Sequence, residues 1–328
     1  MQASWQELSK QDKSLAEMLV LAPSLNPKIN EPDEDLHVAL DGLPDDVKSF
    51  LSVVAKNAPH LHTLMLQDAE RLKLLCNSGF DAFLLKRTNQ LQQELFESYD
   101  DAAAMAALRR YKQCTALSIA LWDIGGVLPQ EIVLEALSQA AEITVEQGLR
   151  YIVVQEIASG KCVYDLPQSG LGGLGFVLLG MGKLGGWELN YSSDIDLIAL
   201  YDPEGTSLSD NQEPSVYWVR LVKRLVRLMQ ERTGDGYAYR MDLRLRPDPG
   251  STPLAVSLPG ALQYYEGTGQ NWERAALIKA RPIAGDMPMG SQFLTDIVPF
   301  IWRKYLDYAA LEDIHAIKRQ IHAHKGFV

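Results

Sequence analysis

Cysteine is scarce in this chain. Cys76, Cys114 and Cys162 are odd in number, widely spaced and without a metal-ligand pattern. That excludes a disulfide scaffold and a cysteine-held zinc centre, and it fits reduced, mostly buried thiols in a cytosolic protein. No uninterrupted apolar stretch approaches the roughly 18 residues of a membrane span, and Met1-Gln-Ala-Ser-Trp-Gln-Glu lacks the basic-then-apolar run of a signal peptide. Neither a membrane nor export is expected, and the chain reads as soluble and cytoplasmic. Positive charge is in the minority: 31 Lys and Arg stand against 42 Asp and Glu, for a net charge of −11. Nucleic acids are bound through broad basic surfaces, so nucleic acid is not the expected ligand. The six histidines show no ligand spacing, and no Ser/His/Asp or Cys/His nucleophile arrangement is visible.

What is present is ordinary globular material. With 328 residues, 47% hydrophobic and 22% charged, the chain can bury a sizeable core in two or three units. Before about residue 45 it is polar with scattered prolines (Pro23, Pro27, Pro32, Pro44), which predicts short helices and loops. Apolar positions near 3.6 periodicity then predict helices over roughly Leu61 to Cys76, Leu91 to Ile124 and Gln130 to Ala158. A Gly-rich loop near Asp165 to Gly175, with Pro167 and Ser169, leads into a different pattern. There the expectation is a strand at Gly175 to Gly180, a turn or short helix at Lys183 to Leu189, and a strand at Asp196 to Tyr201. An amphipathic helix at Val216 to Glu231 follows, then a strand at Tyr237 to Leu245 and a further one at Leu254 to Ser257. Helices return at about 260–265, 270–280, 291–302 and 307–323. The fold class is α+β: a helical N-terminal region (1–165), a core with a small mixed sheet (166–258) and a helical C-terminal region (259–328).

The chemistry concentrates between Gly180 and Leu200. The run Gly175-Phe-Val-Leu-Leu-Gly180 is a buried strand ending in a turn with glycines at 180, 182, 185 and 186. Without Cβ atoms, Gly182, Gly185 and Gly186 allow main-chain N–H groups to approach phosphate oxygens, and Lys183 lies within reach of the same phosphate. In the extended segment that follows, Asp194 and Asp196 point to one face while Ile195 and Leu197 point to the other. Adjacent carboxylates raise each other's pKa unless a cation compensates, and Mg²⁺, held by carboxylates and substrate phosphates, is the expected one, with Mn²⁺ as the alternative. Downstream, Arg240, Asp242, Arg244 and Arg246 alternate with Met241, Leu243 and Leu245, which predicts a strand with a wholly charged face. Three arginines about an aspartate call for an anionic or metallic partner. A lone Asp-x-Asp is usually a solvated loop; here the glycine turn before it, the apolar strand after it and Asp242 downstream mark a site. Glu273, Lys279 and Arg281 read mainly as helical i,i+3 and i,i+4 ion pairs.

These stretches, with Asn271-Trp-Glu-Arg274 and Lys279-Ala-Arg-Pro-Ile-Ala-Gly-Asp286, make the chain resemble the bifunctional glutamine synthetase adenylyltransferase/adenylyl-removing enzyme family. The resemblance is clear from about residue 100 onward. It implies a nucleotidyltransferase domain of polymerase β type, one of two in a bacterial protein far longer than this chain, which accordingly reads as a fragment. The half that attaches AMP typically reads Glu-Leu-Gly-Tyr-Gly-Ser-Asp-Leu-Asp-Leu. Here Asn190, Ser192 and Ile195 stand at the three diagnostic places, which points to the AMP-removing half.

The resemblance implies a transferase in nitrogen regulation acting on the AMP-tyrosine of glutamine synthetase. Inorganic phosphate attacks the AMP phosphorus and ADP leaves. Asp194, Asp196 and Asp242 are the expected metal ligands and catalytic carboxylates, with Asp242 nearest the attacking or leaving oxygen. Ser193 matches the family's Ser-Asp-x-Asp and helps to orient a ligand. Arg240, Arg244 or Lys183 binds the phosphate, and a PII-type nitrogen-signalling protein is an implied partner. The alternatives are AMP transfer from ATP onto the same tyrosine, and a nucleotide-sensing regulatory module without turnover.

Overall fold

The computed structural model describes residues 13–21, 36, 40–166, 170–205 and 207–302. The expected helix at 307–323 and the loops around Pro23, Pro27 and Pro32 lie outside these. The chain divides into two compact units, Met1–Ala140 and Ala141–Val328.

The first unit is helical. Its elements are α1 (Leu15–Leu21), α2 (Asp45–Asn57), α3 (Pro59–Leu66), α4 (Ala69–Asn77), α5 (Phe80–Phe96) and α6 (Asp101–Ile124), and α7 (Gln130–Ala158) begins in it. Two predicted helices are each divided by a capping aspartate. Asp68 accepts from the Arg71 amide and starts α4, and Asp100 accepts from Ala103 N and starts α6. An N-cap residue is non-helical, so a helical period running through it does not keep the helix continuous. The core holds Leu51, Met65, Leu72, Phe83, Leu108 and Trp122.

The second unit carries the sheet: β1 (Phe176–Gly180), α8 (Gly182–Gly185), β2 (Ile195–Tyr201), α9 (Pro214–Gln230), β3 (Met241–Asp242), β4 (Ala255–Ser257), α10 (Leu258–Gly267), α11 (Asn271–Leu277), β5 (Arg281–Gly285), α12 (Met287–Asp296) and α13 (Val298–Ile301). The strand order is β3-β2-β1-β5, and β4 also pairs with β2. β1 is antiparallel to β2 and β5, whereas β3 and β4 run parallel to β2. This is the small mixed sheet of an α+β chain that was expected.

β1 is buried along its length because both faces are covered. Phe176 stacks on Trp218 of α9, with ring centroids 4.6 Å apart. On the opposite face Val177 and Leu179 join Ile198, Leu200, Tyr265 and Phe293 in one apolar cluster. α9 buries Tyr217, Trp218, Leu221, Val222, Leu225, Leu228 and Met229, the stripe its periodicity dictates, and Glu213 caps it by accepting from Ser215 N and Val216 N. Against α9, Gly148 of α7 leaves room for Met229, whose methyl lies 2.3 Å from where a Cβ would be.

Two expectations about strands are corrected. The strand over 237–245 is reduced to Met241–Asp242, because β4 pairs with residues 199–201 of β2 and the chain turns away at 243–250, where Asp248 has φ +40°. Residues 281–285 form β5, which the sequence reading had not assigned as a strand. All three cysteines are free and buried, and burial pushes the Cys76 thiol up to about 12. Among the described residues no helix is long and apolar enough to cross a membrane.

Candidate active site

Asp194 and Asp196 flank Ile195, whose buried side chain points into the core. The Ile195 amide donates to the Arg240 carbonyl over 2.9 Å, and Asp196 is the register partner of Asp242 across the parallel β2–β3 pair. Register partners present their side chains on one face, so the short β3 places the Asp242 carboxylate beside that of Asp196. The electrostatics reflect this closeness. Burial pushes the Asp196 carboxyl above the ordinary carboxylate range, and the charges of Asp242 and Asp194 push it further in the same direction.

Two arginines answer this negative charge. Arg240 Nε donates to Asp194 Oδ1, and Arg244 Nε lies 3.0 and 2.9 Å from the two Asp242 oxygens. The Arg244 hydrogen bond holds the Asp242 carboxyl below its usual range, with the main-chain amide of Arg244 adding to the effect. The side chain of Arg244 is 84% exposed and that of Arg240 57% exposed, so both ion pairs are of the weak, solvent-screened kind. An open cavity of about 390 Å³ lies over them, lined by Asp194, Arg240, Asp242, Arg244 and Arg246 and, on its apolar side, by Val226, Leu243 and Leu254.

Arg246 does not share the face of Arg240, Asp242 and Arg244. Because the chain leaves the strand after Asp242, its guanidinium donates to the carbonyls of Leu243 (2.9 Å), Pro249 (2.8 Å) and Thr252 (3.0 Å) and ties the 243–252 loop together. Its role there is structural.

The glycine turn sits on the other side of Asp196. A Cβ on Gly182, which has φ +54°, would lie 3.4 Å from Asp196 Oδ2, and the Met181 amide donates to the Asp196 carbonyl over 2.9 Å. The Gly185 and Gly186 amides are used inside the turn, donating to the carbonyls of Met181 and Gly182. Gly185 is required for a different reason: a Cβ there would lie 2.0 Å from the Lys279 carbonyl oxygen. Lys183 is exposed. Ser193 Oγ donates to Asn190 Oδ1, closing the loop just before Asp194.

The carboxylates have the donor chemistry of a hard divalent cation. As the side chains stand, no group of three His, Cys, Asp or Glu among the described residues is arranged to hold a metal. The oxygens that would do so are turned to Arg240 and Arg244. The exposure of both arginines makes that exchange inexpensive, and a cation would relieve the part of the upward push on the Asp196 carboxyl that comes, after burial, from Asp242 and Asp194.

The sequence reading of Glu273, Lys279 and Arg281 as helical ion pairs is corrected. Glu273 is buried, forms the capping box of α11 and accepts from Tyr264 Oη at 3.1 and 3.0 Å. Lys279 Nζ reaches Glu188 of the glycine turn at 2.6 Å. Arg281 lies on β5 and contacts the turn and α7. The signal was there to read: Arg281-Pro-Ile-Ala-Gly285 is a short apolar run between punctuating residues, and Glu142 and Glu146 stand one turn apart on an otherwise apolar stretch of α7.

A family profile for glutamate-ammonia ligase adenylyltransferases matches residues 47–296. The chain is 44% identical over 292 residues to the bifunctional glutamine synthetase adenylyltransferase/adenylyl-removing enzyme of Rhodopseudomonas palustris (strain ATCC BAA-98 / CGA009), covering 89% of this chain and 30% of that protein. It is 45% identical over 285 residues to the enzyme of the same name from Rhizobium meliloti (strain 1021), covering 85% of this chain and 29% of the relative. A third, from Bradyrhizobium sp. (strain BTAi1 / ATCC BAA-1182), is 46% identical over 288 residues, 87% of this chain and 29% of its own. The chain thus spans about 30% of the length of the curated relatives it matches.

Proposed function

Because the chain belongs to the glutamate-ammonia ligase adenylyltransferase family, we propose that its site is a nucleotidyltransferase centre that removes AMP from the adenylylated tyrosine of glutamine synthetase. The observation that carries this reading is the register pairing of Asp196 with Asp242, which brings the two carboxylates together beside an open, arginine-lined cavity that Asp194 and Asp242 help to line.

In the proposed reaction an oxygen of inorganic phosphate attacks the AMP phosphorus, the bond from phosphorus to the tyrosyl oxygen breaks, ADP leaves and the phenolate takes a proton. Asp194, Asp196 and Asp242 would hold Mg²⁺, or Mn²⁺ in its place. That ion supplies neutralisation of the charge growing on the phosphoryl oxygens. Arg240 and Arg244, once turned from their carboxylates, present fork-shaped donors to the incoming phosphate. Lys183 and Gly182 lie at the edge of the same site, and Ser193 orients the loop that delivers Asp194. The nucleotidyltransferase core of this proposal is residues 166–258 together with β5, working in the cytoplasm. A PII-type protein is the proposed signalling partner.

Removal rather than attachment of AMP is supported by Asn190, Ser192 and Ile195. Of these, Asn190 accepts the Ser193 hydroxyl and so fixes the approach to Asp194. The test mixes the chain, and separately Asp194→Asn, with adenylylated glutamine synthetase, Mg²⁺ and phosphate, and follows ADP and protein-bound AMP. Phosphate-dependent ADP release that falls at least 100-fold in the variant is expected. AMP incorporation from ATP into unmodified synthetase, without ADP release, would assign the chain to the attaching reaction instead.

A further inference from the structure

We propose that Arg281 is a positioning residue that sets the Gly182–Trp187 turn against Asp196 and thereby governs nucleotide affinity without touching the nucleotide. The inference rests on the reading, made above, of that turn as part of the nucleotide site.

The argument starts from the turn itself. α8 is a single helical turn, and a helix end leaves carbonyls without intrahelical partners. The Gly185 carbonyl receives Arg281 Nε at 3.3 Å, and the Leu184 carbonyl, which also accepts the Trp187 amide, receives Nη2 at 3.2 Å. The same guanidinium lies 3.7 Å from the centroid of the Trp187 ring. Trp187 has φ +59°, a left-handed conformation unfavourable to an L residue. Stacking of the ring on the guanidinium offsets it. The far side of Arg281 is fixed by Glu142 of α7, whose Oε1 accepts from Nη2, and Glu146, one helical turn on, accepts the Gly285 amide at the other end of β5 over 2.8 Å. One planar group therefore joins a helix, a strand, two turn carbonyls and an aromatic ring.

The turn has no slack with which to absorb a change. On one side the Gly185 Cα lies so close to the Lys279 carbonyl that no Cβ fits; on the other, Gly182 adjoins the Asp196 carboxylate. Lys279–Glu188 adds a second tie from the same segment. A displacement of Arg281 is passed by the turn directly to the neighbourhood of Asp196. Arginine is needed for this, because lysine has no plane to stack on Trp187 and no fork to span Leu184, Gly185 and Glu142.

The experiment uses the full chain as wild type, Arg281→Lys and Glu142→Gln. It measures hydrogen exchange of the Gly185, Gly186, Trp187 and Glu188 amides and the affinity for Mg²⁺-ADP. Expected in both variants are exchange at these amides at least about tenfold faster, unchanged protection in α9, and an ADP dissociation constant raised about tenfold. Glu142→Gln acts from the far end of the contact and keeps the test decisive should Arg281→Lys fail to fold. Unchanged exchange in the turn, or faster exchange with unchanged ADP affinity, overturns the inference and leaves the proposed function standing. A wild type that binds no Mg²⁺-ADP overturns the nucleotide reading of the site, and this inference with it.

Discussion

Asp196 is where function and stability pull in opposite directions. Its carboxyl is partly buried beside two others, so its folded-state pKa lies above the ordinary value of 3.8. The native protein therefore binds its proton more tightly than the unfolded chain does. The resulting penalty is absent below the ordinary value, grows as pH rises towards the raised one, and is constant above it. With divalent cations removed by chelator, Asp196→Asn is expected to melt about 1–2 °C higher than wild type near pH 8, a difference that closes as pH falls towards 4. Thermal melts at both pH values check this; equal melting temperatures throughout would mean that Asp196 carries no repulsion. The same substitution removes a proposed metal ligand, so gain in stability and loss of activity are expected together.

At the scale of elements, the sheet is held by few, large contacts. Trp218 is fully buried and lies between Phe176 of β1 and Tyr217, 4.6 Å and 4.9 Å from their ring centroids. Trp218→Ala would leave a cavity between α9 and β1 and is expected to cost about 3–5 kcal/mol, measured as a lower urea midpoint with little change in slope.

These elements also show what a sequence can reveal. α7, β1, β2 and α9 were legible because their patterns are long and strongly periodic, and the aspartates of the site were legible because they interrupt an apolar strand. The predicted strand at 237–245 failed for a reason no local pattern contains. β2 offers one edge, β4 pairs with residues 199–201 of it, and β3 pairs with Ile195 and Asp196 at its start. Arg246 moved from the charged face to a loop anchor for the same cause. For Arg281 the strand was legible but its pairing was not, because its partners are 97 and 139 residues away in sequence.

For the molecule as a whole, an excess of acid over base leaves the site dependent on borrowed positive charge. Arg240 and Arg244 supply it in the structure, and Mg²⁺ does so in the proposed reaction. A ligand that binds only the folded state stabilises it by about 2.7 kcal/mol when present at one hundred times its dissociation constant. Mg²⁺ is therefore expected to raise the melting temperature of the wild type, and to do so far less in Asp242→Asn; a shift of equal size in that variant would place the ion elsewhere on this acidic surface.

The parallel pairing of β2 with β3 has a consequence in time. Asp196 and Asp242 meet only when the chain closes a loop of forty-six residues that includes the whole of α9, whereas β1 and β2 pair across a much shorter turn. Contacts that close longer loops carry a greater entropic cost before they are rewarded. On loop length, β1 pairs with β2 first and β3 joins later, ahead of β4 and β5, whose pairings with β2 and β1 close still longer loops. Asp242 is then brought to Asp196 only after β1 and β2 have paired, and the folding chain is spared the repulsion between these two carboxylates until that pair exists.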